Sequence, residues 1–240
     1  MRKIYACCSL ILAFCSLQGQ NLVPNPSFED TVVCATPFST LFVCKNKSWD
    51  CTSVINLIDW YNPTKGNPDY YTEFSGDSSY SVPHNQIGYQ WPHSYYAYAG
   101  IYTFGGPGYP HQKDYIEVRL LSSLLAGKKY DVKFYVSLAD SSRWATNNLG
   151  MYISNDSIYD YSTMGELKYS PQIMDSSNVV ITDTLNWKLI SGTYSAVGGE
   201  KYITIGNFFP DSLTKVDTVN VTNWNFPAYY YIDDNSLTSI

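Results

Sequence analysis

From Tyr130 to Leu138 the chain alternates without a break. Tyr130, Val132, Phe134, Val136 and Leu138 fall on one side, Asp131, Lys133, Tyr135 and Ser137 on the other. Nine residues of period two predict a strand with one face in a core. Ile116, Val118 and Leu120 alternate with Glu117 and Arg119, and Leu149, Met151 and Ile153 repeat the pattern. Further strands are predicted at 179–182, 187–194, 202–208 and 229–237. Turn-forming stretches at 124–129, 197–200 and 210–212 separate them. No run of helical length is amphipathic. Short strands punctuated by turns predict an antiparallel β-sandwich, here a single domain over 21–240.

Two regions break this rhythm. Residues 31–60 read as a long decorated loop, with 54–60 as a short strand or helical turn and Trp60 anchoring it to the core. Residues 61–112 are rich in Gly, Pro, Asn and Tyr and hold no sustained period, with turn signals at Asn62-Pro63, Gly66-Asn67-Pro68 and Gly105-Gly106-Pro107-Gly108. A loop region this long is functional or is fixed by its own side chains. Its many tyrosines are suited to the fixing.

Arg2 and Lys3 precede an apolar run at 4–17, and small and polar residues end it at 16–20. That order is a secretory signal peptide cleaved near Gly19 or Gln20, so domain 1–20 is expected to leave. The run is too short to span a membrane, and no later stretch is apolar enough, so no transmembrane segment is expected after removal. Export places the protein at the outer surface of the cell envelope, outside the cell, or in the periplasm. Cys34, Cys44 and Cys51 remain after cleavage. In an oxidising compartment two of the three can pair, and which two stays open. Zinc is the rival reading, but there is no C-x-x-C spacing and no nearby His.

Without Arg2 and Lys3 the chain carries 13 basic and 21 acidic residues, a net charge of −8. Such a surface repels phosphate backbones, and there is no basic stripe, so nucleic acid is not an expected partner. Neutral polymers suit it better. Aromatics supply 16% of residues and charged residues only 15%, with 23 tyrosines. A tyrosine pairs an apolar ring with a polar tip, which suits strands and contact surfaces alike.

The opening Asn21-Leu-Val-Pro-Asn-Pro-Ser-Phe-Glu29 and the closing Tyr231-Ile-Asp-Asp-Asn-Ser-Leu237 resemble the first and last strands of bacterial envelope or secreted jelly-roll domains. These are of the galactose-binding-like type related to carbohydrate-binding modules. The segments 136–142 and 198–208 resemble parts of envelope-associated versions. Asn235 departs from the pattern, where the family usually has Val. The resemblance implies a galactose-binding-like jelly roll whose two chain ends meet. It also implies a structural calcium held by Glu29 and Asp233, with help from Asn25 or Asp30, since hard cations take carboxylate, amide and carbonyl oxygens. The alternative for these side chains is capping turns and bonding backbone amides.

The function implied is non-catalytic binding of a polysaccharide or glycan. Sugar C–H faces stack on aromatic rings, and sugar hydroxyls need directed partners. Trp91, Tyr95, Tyr96, Tyr98 and Trp144 are the candidate stackers, and Arg143 and Asn147 the candidate hydrogen-bonding neighbours, with Asn85, Gln86, Gln90 and Asn148 in support. A second reading is a structural or adhesive envelope protein that contacts other envelope proteins. A third is a secreted esterase or glycosidase. His84, His93 and His111 share one loop-rich region, and Gly76-Asp77-Ser78 faintly resembles a nucleophile turn. No H-E-x-x-H or G-x-S-x-G supports that reading, and catalysis is not expected.

Overall fold

In the computed structural model, residues 19–34, 41–44, 54–222 and 226–240 are described. The signal segment, apart from Gly19 and Gln20, and Cys51 lie outside them. Ten strands build the body: β1 (Trp60–Tyr61), β2 (Asp69–Thr72), β3 (Ala97–Phe104), β4 (Ile116–Arg119), β5 (Lys129–Leu138), β6 (Leu149–Ser154), β7 (Ile173–Met174), β8 (Lys188–Ser195), β9 (Tyr202–Asn207) and β10 (Ala228–Ser239). They form two five-stranded antiparallel sheets, β8-β5-β10-β3-β2 and β7-β6-β9-β4-β1. The chain switches sheets at most connections, which gives the all-β jelly-roll sandwich expected from the pattern. The described residues contain no α-helix, and no helix among them is long and apolar enough to cross a membrane.

The alternation over β5 does what it predicts. Val132, Phe134, Val136 and Leu138 are buried in the core between the sheets, against Ile116, Val118, Met151, Ile153, Ile203 and Ile205 of the other sheet. The chain ends meet there too. Asn21 bridges Thr238, Leu22 N–H donates to Leu237 carbonyl (2.9 Å), and Leu237 N–H donates to Asn21 Oδ1 (2.9 Å). Asn235 is buried rather than out of place. Its backbone and side-chain N–H groups both donate to the Pro26 carbonyl (2.9 Å each). Pro24 and Pro26 bend the N-terminal segment, and such a bend leaves carbonyls for Asn235 to use.

Three expectations change. Residues 31–60 are not one loop: Thr31–Cys34, Val54–Leu57 and Phe42–Cys44 make a small sheet with Val54–Leu57 in the middle. Cys34 and Cys44 stand opposite Val54 on either side; their side chains lie outside the described residues. Trp60 is the anchor expected, buried with its ring 5.0 Å from Phe28 and its Nε1–H on the Asn25 carbonyl (2.9 Å). Region 61–112 holds β2 and the eight-residue β3. That strand shows no period because it is buried on both faces, Ala97, Ala99 and Ile101 inward and Tyr98 outward. Residues 179–182 form no strand; Ile181 packs in the core and donates its N–H to the Thr146 carbonyl (3.0 Å).

The outer face of the β8-β5-β10-β3-β2 sheet is a second core. Tyr71, Tyr98, Tyr229 and Tyr231 pack there under Val82 and Ile87 of the long loop. Their hydroxyls are joined. Tyr229 donates to Asp69 Oδ2 (2.6 Å), Tyr71 and Tyr229 share a bond (3.0 Å), and Tyr231 donates to Asn85 Oδ1 (3.0 Å). Gly100 is required beneath: a Cβ would clash with the hydroxyl end of the Tyr229 ring. The tyrosines therefore fix the loop, as their number predicts, and the loop covers this sheet face.

Candidate ligand-binding surface

The segment from Tyr89 to Tyr96 runs across that cover, and carboxylates clasp it. Asp140 Oδ2 accepts Tyr89 N–H (2.8 Å). Asp233 Oδ2 accepts the N–H groups of His93 (2.8 Å) and Ser94 (3.2 Å). Asp234 binds His93 Nδ1 and accepts Ser94 Oγ–H at 2.5 Å. Glu29 Oε1 accepts Tyr96 N–H (3.0 Å). Two adjacent acids reach one loop because β10 bulges. Lys133 pairs with Ser236 but Tyr135 with Asp233, and Asp234 takes a left-handed φ of +50°. Neighbouring strand residues otherwise point to opposite faces. The sequence carries the trace: Ile232 and Leu237 are both inward yet five residues apart.

The clasp presents rings. Trp91 is 60% exposed and Tyr95 69%, with Tyr96 and Phe74 also exposed. Trp91 is held by its Nε1–H on Tyr89 Oη (2.7 Å) and by its carbonyl, which accepts Trp187 Nε1–H (2.9 Å). Tyr96 meets Phe74 edge-on at 5.6 Å. Tyr95 and Tyr96 form one wall of a cleft of about 330 Å³, closed by Asn25, Pro26, Ser27, Glu29 and Asp30. That size is at the small end for ligand pockets. Burial pushes the Glu29 carboxyl up, against the pull of the Tyr96 and Ala97 amides, and nearby Glu73 and Asp234 add to the rise.

The predicted site residues divide into three groups. Trp91, Tyr95 and Tyr96 are all exposed on the 89–96 segment; Tyr95 and Tyr96 line the cleft, while Trp91 sits by Tyr89 and Trp187. Tyr98 does not join them: it is fully buried beneath the loop, with Asn85 Nδ2 donating to its hydroxyl (3.0 Å). Arg143, Trp144 and Asn147 lie along a separate ribbon, Trp144–Thr146 paired with Val216–Thr218. There the Arg143 guanidinium sits 5.0 Å over the Trp144 ring and donates to the Val221 carbonyl (3.2 Å). Asn147 is only 2% exposed; its Oδ1 accepts Lys215 N–H (2.8 Å) and its amide donates to Asn178 (2.5 Å). Both buried side chains are spent on the fold. Phe74, exposed and edge-on to Tyr96, adds to this surface, and a lone Phe in a loop carries no spacing signal in the sequence.

Asn25, Glu29 and Asp233 do lie near the joined chain ends, but their oxygens face backbone amides. Asn25 Oδ1 accepts Asp30 N–H (2.8 Å), and its amide donates to the Asp30 and Ile58 carbonyls (3.0 Å each). Asp233 Oδ1 accepts Asp234 N–H (2.7 Å) besides the two bonds to Oδ2. Burial, then the charge of Asp234, pushes the Asp233 carboxyl well up. Among the described residues no group of three or more His, Cys, Asp or Glu is set to hold a metal. This donor set does not fit a calcium without giving up the clasp. The histidines are also apart: His84 is edge-on to Tyr89, His93 stacks on Tyr135 at 3.8 Å, and His111 pairs with Asp211 (3.2 Å). Asp77 caps the turn at Ser78–Tyr80. Ser94 and His93 each bond Asp234, not the hydroxyl-to-imidazole contact that activates a nucleophile.

No protein-family model and no curated protein matches the sequence. Among solved structures, the K1 cleaved adhesin domain of Lys-gingipain from Porphyromonas gingivalis W83 is 13% identical over 92% of this chain and 99% of that one, with a TM-score of 0.43. The CBM22-1 xylan-binding domain from Paenibacillus barcinonensis Xyn10C is 10% identical over 84% and 94%, at 0.37. The N-terminal cellulose-binding domain of Cellulomonas fimi β-1,4-glucanase C is 10% identical over 60% and 78%, at 0.33. A likeness this distant says nothing of what the present chain binds.

Proposed function

We propose that this chain is an exported, non-catalytic module that binds a neutral glycan through the rim of Trp91, Tyr95 and Tyr96, at the cell surface or outside the cell. One observation carries the reading: exposed Tyr95 and Tyr96 line a cleft, and backbone-to-carboxylate bonds at His93, Ser94 and Tyr96 hold the segment that carries them. Rings fixed before binding lose little entropy when a sugar stacks on them. Asp30, Glu29 and the tyrosine hydroxyls supply partners for sugar hydroxyls. The acidic surface agrees with a neutral ligand.

The test is binding of residues 21–240 to a broad glycan panel. A saturable hit lost in Trp91→Ala and Tyr95→Ala supports the reading. A blank from folded protein overturns it. A second reading, contact with another envelope protein, draws on the width of the rim, where Phe74, Tyr89, Trp91, Tyr95 and Tyr96 are all exposed. It gains if the same variants abolish adhesion between protein-coated surfaces while glycans stay inert.

A further inference from the structure

A larger cleft, of about 490 Å³, opens elsewhere, where β6 leaves its sheet and meets the turn between β8 and β9. It shares no lining residue with the rim site. From this cleft we infer a second, independent site for a neutral oligosaccharide. Tyr152 and Tyr169 stack in it with centroids 4.8 Å apart and planes at 28°, and Tyr169 is 43% exposed. Tyr194 forms part of the lining. Just past the wall residue Ile158, the exposed Tyr159 pairs with Tyr161 at 4.8 Å, and Tyr161 is fixed by its hydroxyl on the Asn62 carbonyl (2.8 Å).

Both walls are built to stay in place. On one side Glu117, fully buried, accepts from Tyr61 Oη (2.6 Å), Ser157 Oγ (2.6 Å), Ile158 N (3.1 Å) and Thr204 Oγ1 (2.6 Å). On the other Glu200 accepts from Tyr194 Oη (2.8 Å), Val197 N (2.7 Å) and Gly198 N (2.9 Å). Gln172 brackets Ile153, taking its N–H (2.7 Å) and donating to its carbonyl (3.0 Å). Asn155 and Asp156 stand exposed on the edge.

This chemistry selects among ligands. The lining holds no Lys, Arg or His, so an anion finds no countercharge. A plain hydrocarbon would bury the edge amide and carboxylate unpaired. A pyranose ring meets both demands, with its C–H face on the tyrosines and its hydroxyls toward Asn155 and Asp156. A module with two such sites can hold two glycan strands, or two points of one, and gain avidity without further contacts.

The experiment is titration of ¹⁵N-labelled residues 21–240 with cello-, xylo-, manno- and maltohexaose, read by amide shifts. The expected result is saturable movement of signals from 152–158 and 194–200 with at least one hexaose. Tyr169→Ala or Asn155→Ala weakens that set at least tenfold, while Trp91→Ala leaves it in place. The spectrum itself reports whether each variant is folded, and Asn155, exposed on the edge, is the safer substitution. Shifts confined to the rim around 89–96 overturn the second site but keep the first. No shift with any hexaose overturns the second site.

Discussion

Both faces of the β8-β5-β10-β3-β2 sheet are buried, and they differ in chemistry. The inner face is mainly hydrocarbon: Val132, Phe134, Val136, Ile232 and Leu237 carry no side-chain polar atom, and the hydroxyls of its tyrosines, Tyr70, Tyr130 and Tyr230, bond backbone groups. The outer face is phenol: Tyr71, Tyr98, Tyr229 and Tyr231 are equally buried, and their hydroxyls run to Asp69, Asn85 and each other. A hydrocarbon face asks only for area, so many shapes of cover satisfy it. A buried hydroxyl asks for a partner at one place, so the phenol face dictates where the long loop lies. That placement puts Trp91, Tyr95 and Tyr96 at the surface.

The largest expected effect lies on the inner face. Phe134→Ala leaves a cavity between the sheets and should cost about 3–5 kcal/mol in urea unfolding. A loss under about 1 kcal/mol would mean that the inner face repacks freely. The next effect concerns acid on the outer face. Burial pushes the Asp69 carboxyl up to about 6 and the Asp114 carboxyl, held by Tyr102 and Asn67 amides, up to about 7. In both cases the unfolded chain sheds its proton at lower pH than the folded one. Their contribution is therefore greatest below about pH 4 and is lost as pH rises toward 6 or 7. For Asp69 alone the gap corresponds to roughly 3 kcal/mol. Asp69→Asn should flatten that part of a melting-temperature profile, and an unchanged slope would contradict the burial argument.

Tyr229→Phe removes one oxygen and leaves Asp69 without its 2.6 Å donor; the expected cost is about 1–2 kcal/mol, visible as a lower urea midpoint. Trp91→Ala, on the exposed rim, should change stability by less than about 0.5 kcal/mol while removing glycan binding, and a large destabilisation would make Trp91 a packing residue. The smallest expected effect is that of calcium. With Glu29 and Asp233 engaged by amides, calcium or a chelator should move the melting temperature by less than about 1 °C. A bound ion at a hundred times its dissociation constant would add about 2.7 kcal/mol, and such a rise would reinstate the calcium site.

Much of the sandwich is legible where a strand is buried on one face. β4, β5 and β6 announce themselves by alternation, and β10 by its length and its paired acids. Strands buried on both faces are silent, which is why β3 hides in a Tyr- and Gly-rich stretch. The site is legible in half. Trp91, Tyr95 and Tyr96 are at the rim, but Tyr98, two residues on, is in the second core, and no local feature separates them. Residue type is the same; what differs is whether Val82, Ile87 and the Tyr231 ring lie overhead.

By itself the sequence determined the sandwich and the aromatic character of the long loop, because periodicity and composition are local properties, while the meeting of the ends was implied by the resemblance of its first and last segments to those of a jelly roll. Only the tertiary structure decided what Glu29, Asp233 and Asp234 hold. Glu29 and Asp233 bond amides, and Asp234 bonds side chains, of residues 93–96, far away in the chain, and a β-bulge aims the two aspartates at one segment. Which tyrosines are core and which are surface was settled in the same way, by contacts between residues more than a hundred positions apart, such as Tyr71 with Tyr229 and Asn85 with Tyr231. Hydrogen-bond partners of buried groups are fixed by the whole fold, and a linear pattern does not carry them.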